Sequence, residues 1–91
     1  PAVERDLSII VDDATPWRDV EAAIRGAEPA RLEALEFVTT YRGKPVPAGR
    51  KSVSLRLRFR HPGATLTGEA VDAEVARVVA ALKQLGAELR A

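Results

Sequence analysis

From Arg5 to Val11 the chain alternates, with Leu7, Ile9 and Val11 on one side of an extended backbone and Asp6, Ser8 and Ile10 on the other. That pattern predicts a first strand. Asp12-Asp13-Ala14 interrupts it, and Thr15 and Pro16 supply a helix N-cap and a first-turn proline, whose missing N–H costs nothing there. Val20, Ala23, Ile24 and Ala27 then recur at helical spacing. Trp17, at the start of this helix, reads as packing material over the sheet edge. After Gly26 and Pro29 a second strand is expected from about Leu32 to Arg42 and a third from Lys51 to Arg60. The third alternates cleanly, Val53, Leu55, Leu57 and Phe59 against Ser52, Ser54, Arg56, Arg58 and Arg60. In the second, Phe37, Thr39 and Tyr41 share one face and Val38 and Thr40 the other, and a bulge would reconcile Leu35 with Val38.

His61-Pro62-Gly63 ends the third strand. Thr67 is placed as the N-cap of a longer helix, with Leu66 and Val71 at the spacing of a hydrophobic staple. Val71, Val75, Val78, Val79, Leu82 and Leu85 form its apolar stripe, Gly86 terminates it, and Ala87 to Arg90 remain for a short last strand. The order β-α-β-β-α-β predicts an α+β fold, the ferredoxin-like βαββαβ sandwich: a four-stranded antiparallel sheet with two helices on one face. No repeat or low-complexity tract divides the chain, so residues 1–91 are read as one domain.

Composition narrows the function. There is no cysteine, and one histidine, His61, so neither thiol chemistry nor a protein-built zinc site is expected. No apolar run approaches a membrane span and no signal peptide opens the chain, which points to the cytoplasm and to no membrane partner. The chain begins at Pro1 and contains no methionine, which reads as a domain of something longer. The net charge of +1 is unevenly spread. Residues 1–36 hold nine acids and four bases, a charge of −5; residues 37–68 hold seven bases and no acid, +7; residues 69–91 hold four acids and three bases, −1. A basic middle suggests a face for a polyanion, and a solvated strand face explains it equally well.

The uncovered sheet face has several candidate chemistries. A metal chaperone needs paired thiols, and an acylphosphatase needs an arginine-bearing phosphate loop where this chain has Asp12-Asp13. No glycine-rich phosphate loop and no Ser-His-Asp set is present, so no catalytic residue is assigned. Single-stranded RNA binding fits better: Tyr41 closes a strand beside the basic loop Arg42-Gly43-Lys44-Pro45-Val46-Pro47-Ala48-Gly49-Arg50-Lys51, offering a stacking ring and phosphate-directed charge. Arg42, Lys44, Arg50, Lys51, Arg56 and Arg58 are the candidate phosphate contacts. The aromatic-rich signature of an RNA recognition motif is missing. A regulatory or protein-docking module of the same fold stays open as the other class.

Three separated motifs carry a resemblance. Pro1-Ala2-Val3-Glu4-Arg5-Asp6-Leu7, then Tyr41-Arg42-Gly43 with Gly49-Arg50-Lys51-Ser52, then Leu57-Arg58-Phe59-Arg60 and Leu66-Thr67 before a helix holding Glu69 and Val71, occur in order over the whole chain. The sequence resembles the ferredoxin-fold anticodon-binding domain found at the C-terminus of bacterial phenylalanyl-tRNA synthetase beta chains. The resemblance implies recognition of the tRNA-Phe anticodon in support of aminoacylation. Catalysis would lie in the alpha chain, and ATP and magnesium would be used elsewhere in the parent enzyme, with no cofactor in this domain. It also implies that Tyr41 stacks on the first anticodon base and that Ser8, Thr39 and Ser52 line the same pocket. Where the family often has aspartate two residues before the tyrosine, this chain has Thr39, a weaker acceptor than a carboxylate.

Overall fold

The computed structural model describes residues 1–90. Its elements are β1 (Val3–Asp12), α1 (Trp17–Gly26), β2 (Leu32–Tyr41), β3 (Arg50–Phe59), α2 (Gly68–Gln84) and β4 (Glu88–Leu89). The sheet order is β2-β3-β1-β4, with every pair antiparallel. The expected fold class is therefore observed. The alternation in β1 and β3 sends Leu7, Ile9, Val11, Val53, Leu55, Leu57 and Phe59 to one side of the sheet, where Val20 and Ile24 of α1 and Val71, Val78 and Leu82 of α2 close a single core with them. Leu55, Leu57 and Phe59 are fully enclosed, each removing an apolar side chain from water, a gain of about 1.5 to 3 kcal/mol apiece. Both helices lie on this face, leaving the other open.

Beyond one-residue shifts at the ends of β2 and β3, three details differ from the sequence expectation. Pro16, not Thr15, is the N-cap of α1: its carbonyl accepts from Asp19 and Val20, while the Thr15 N–H turns back to the Asp12 carbonyl at 2.9 Å. Leu85 is expected in the apolar stripe of α2 but caps the helix and is exposed, because the helix stops at Gln84 before another turn can face the core. The last strand shrinks to Glu88–Leu89, opposite Ile10 and Ile9, although the Arg90 N–H still reaches the Ser8 carbonyl at 2.7 Å. Thr67 does cap α2, accepting from the Ala70 N–H at 3.1 Å, and Gly86 supplies the left-handed φ of 99° that ends the helix.

Strand β2 holds the decisive irregularity. Its pairing with β3 runs Leu35 opposite Leu57 and Phe37 opposite Leu55, then jumps, so that Thr39 faces Ser54 and Tyr41 faces Ser52. Val38 is the extra residue of a bulge. Phe37 and Tyr41 therefore lie on opposite faces, correcting the expectation that they share one. Phe37 sits on the helix side, where Trp17 meets it edge-on at 5.5 Å between ring centroids. Tyr41 sits on the open side.

Candidate nucleic-acid interface

Residues opposite one another in a sheet share a face, so the ladder converts directly into a map of the open side. One row runs Tyr41, Ser52, Ile10, Glu88, and the next runs Thr39, Ser54, Ser8, with Arg90 joined to Ser8 through its backbone. The following rows are Glu36, Arg56, Asp6 and then Ala34, Arg58, Glu4. The face thus has two halves of different chemistry. One half carries hydroxyls and a ring. The other is a lattice of ion pairs.

In the second half Arg56 donates to both carboxylate oxygens of Asp6, at 2.8 and 3.3 Å, and Arg58 donates to Glu4 at 2.8 Å and Glu36 at 3.3 Å. Arg60 pairs with Glu33 at 2.8 Å beyond them. The hydrogen bond from Arg56 outweighs desolvation and, with a lesser contribution from the arginine's charge, holds the Asp6 carboxyl below its ordinary pKa, and the bonds to Asp6 and Glu4 hold Arg56 and Arg58 above theirs. Two arginines here face three carboxylates, Glu4, Asp6 and Glu36. The acid-free segment is neutralised by acids from the neighbouring strands, and Arg56 and Arg58 are not brought to the ring.

The remaining candidate cations divide again. Arg42 is paired with Asp13. Arg50 is a clamp: its side chain, 26% exposed, reaches Asp12 at 3.1 Å, the Ile10 carbonyl at 3.1 Å and the Gly86 carbonyl at 3.4 Å, tying β1 and β3 to the turn before β4. Lys51 lies opposite Val11 and so points to the helix side, away from Tyr41. Lys44 is exposed in the loop, whose carbonyl it lends to Tyr41. That loop is itself anchored: Val46 is buried, its N–H bonded to the Gly43 carbonyl at 2.8 Å, and Gly49 accepts from the Asp13 N–H at 2.9 Å. Gly43 takes a φ of 110°, a left-handed conformation that favours glycine.

Around the ring the structure gathers what the sequence named. Tyr41 is 46% exposed, and its hydroxyl donates to the Lys44 carbonyl at 2.6 Å, fixing the ring against the loop. Ser8 and Ser54 share a hydrogen bond at 2.9 Å in the adjacent row, beside exposed Thr39. Ser52 sits directly beside Tyr41 but is only 2% exposed, so its hydroxyl lines the floor rather than the surface. One residue here was not expected. The Arg90 guanidinium lies over the Tyr41 ring, its Cζ 5.6 Å from the centroid, within cation–π range. Its only sequence signal was its place at the end of the expected short strand Ala87 to Arg90, whose pattern assigns no face.

Among the described residues no cluster suited to a metal ion is found, and no helix is long and apolar enough to cross a membrane. A family model described as "Ferredoxin-fold anticodon binding domain" matches residues 1–90. The chain is 44% identical over 91 residues to the phenylalanine–tRNA ligase beta subunit of Anaeromyxobacter dehalogenans, covering 99% of this chain and 11% of that protein. It is 45% identical to the beta subunit of Symbiobacterium thermophilum over 99% of this chain and 10% of that protein. With that of Corynebacterium jeikeium the identity is 39%, over 100% and 11%. The chain spans about a tenth of the length of these relatives.

Proposed function

The chain belongs to the ferredoxin-fold anticodon-binding domain family, and from that premise we propose that it reads the anticodon loop of tRNA-Phe as part of a phenylalanine–tRNA ligase beta chain in the cytoplasm. In this reading catalysis, with its ATP and magnesium, belongs to the alpha chain, and the domain needs no cofactor of its own. The observation that carries the proposal is the hydroxyl-lined half of the open face, which stands clear of the Arg56 and Arg58 lattice. There an anchored, half-exposed ring stands beside Ser8, Thr39, Ser52 and Ser54. A splayed base stacks on such a ring for about 1 to 3 kcal/mol, and hydroxyls accept or donate to its edge. Because the Lys44 carbonyl already holds the phenol, little rotamer freedom is lost on binding.

The test is fluorescence anisotropy of a labelled tRNA-Phe anticodon stem–loop with the wild-type chain, Tyr41→Phe and Tyr41→Ala, alongside thermal melts. Tyr41→Phe keeps the ring and is expected to bind within about threefold of wild type, losing only the loop bond. Tyr41→Ala is expected to weaken binding about tenfold or more, the equivalent of a stacking contact. Equal binding by wild type and Tyr41→Ala would refute the role of the ring.

A further inference from the structure

Of the open-face arginines, Arg56, Arg58 and Arg60 pair with carboxylates and Arg50 is clamped between Asp12 and two carbonyls. Among the described residues the Arg90 guanidinium has no ion pair and no side-chain hydrogen bond, and it lies over the Tyr41 ring. The two side chains start from opposite edges of the sheet, about 14 Å apart at three strand spacings. They lean inward and meet above the two inner strands. A charged planar group with no ion partner among the described residues thus rests on the very surface that stacking requires.

We infer that Arg90 is an RNA-binding residue that closes over the base stacked on Tyr41, holding it between the phenol ring and the guanidinium plane. The inference rests on the proposed anticodon reading and adds a second wall to that site. The present separation of 5.6 Å is too small for a base to lie in van der Waals contact with both groups, which takes about 7 Å or more. Arg90 must therefore lift from the ring when RNA enters. It can do so at the cost of one exposed cation–π contact, and it regains a stacked partner of the kind guanidinium groups make with splayed bases. A slot with two walls admits one base at a time, so the site selects an unpaired nucleotide over a duplex end. Arginine suits this where lysine does not, because only the guanidinium is planar.

The experiment is a double-mutant cycle on the same 91-residue chain and the same labelled stem–loop, with Arg90→Ala, Arg90→Lys, Tyr41→Ala and the Tyr41→Ala, Arg90→Ala pair, each checked by thermal melting. Expected are a loss of about tenfold for Arg90→Ala, a loss only partly restored by Arg90→Lys, and less than about twofold further loss when Arg90→Ala is added to Tyr41→Ala. The melting temperatures of Arg90→Ala and Arg90→Lys should fall by no more than a few degrees, since the side chain supports no core contact. Unchanged or tighter binding by Arg90→Ala, with Tyr41→Ala still impaired, overturns the second wall and leaves the stacking site standing. Full additivity of the two substitutions overturns it as well, assigning Arg90 to a separate contact. Absence of wild-type binding removes the anticodon reading and this inference together.

Discussion

At the scale of single residues, the same chemical group serves opposite ends according to what its neighbours offer. Arg50 and Arg90 are both arginines facing the uncovered side of the sheet, yet one is spent on Asp12, Ile10 and Gly86 and the other rests on an aromatic ring. Arg50→Ala would leave two carbonyls and a carboxylate without their shared donor. Hydrogen bonds from a charged group are worth about 1.5 to 3 kcal/mol, so the variant should melt well below wild type while the salt dependence of RNA binding keeps its slope. A slope shallower by about 0.7, the signature of one lost phosphate contact on a single strand, would instead make Arg50 a phosphate ligand. The sequence places Arg50 in a basic loop and cannot show this division, because the clamp's acceptors come from residues 36 and 40 positions away along the chain.

At the scale of elements, strand pairing decides which charges survive. The alternation of β3 makes its cationic side plain from the sequence, and the acids of β1 are equally plain; what no local pattern reveals is that Arg56 falls opposite Asp6 and Arg58 opposite Glu4. Register is a property of two strands, and it converts a positive stripe into a near-neutral lattice. The bulge itself is suggested by the clash of Leu35 with Val38 in the alternation, but its place is set by pairing too. Val38, Thr39 and Thr40 are all β-branched residues content in a regular strand, so only the pairing with β3 shows that Phe37 turns inward while Tyr41 stays outside. The helices and the core, by contrast, were legible, since Leu55, Leu57, Phe59, Val78 and Leu82 follow the periods of their own elements.

The Asp6–Arg56 pair gives this lattice a pH dependence. The folded-state pKa of Asp6 is lowered, below an unfolded value of about 3.9, so its stabilising effect is present above that value and is lost as pH falls through the folded pKa. Thermal melts of wild type and Asp6→Asn should differ at pH 7 and converge toward about pH 2. A gap that stays constant across that window would show that the pair contributes nothing to the linkage.

At the scale of the whole molecule, the fold places one core behind the sheet and divides the front into a region already satisfied by its own charges and a region built of hydroxyls, one ring and Arg90. In the proposed reading RNA meets the second region and leaves the first in solvent, even though the first holds more arginines. Amide chemical shifts followed while unlabelled tRNA-Phe anticodon stem–loop is added to the isotope-labelled chain test this division most directly. The account predicts that the largest changes fall on Ser8, Thr39, Tyr41, Ser52, Ser54 and Arg90, with Glu4, Glu36, Arg58 and Arg60 nearly still. Changes centred on Arg56, Arg58 and Arg60, or on the outer surfaces of α1 and α2, would contradict it.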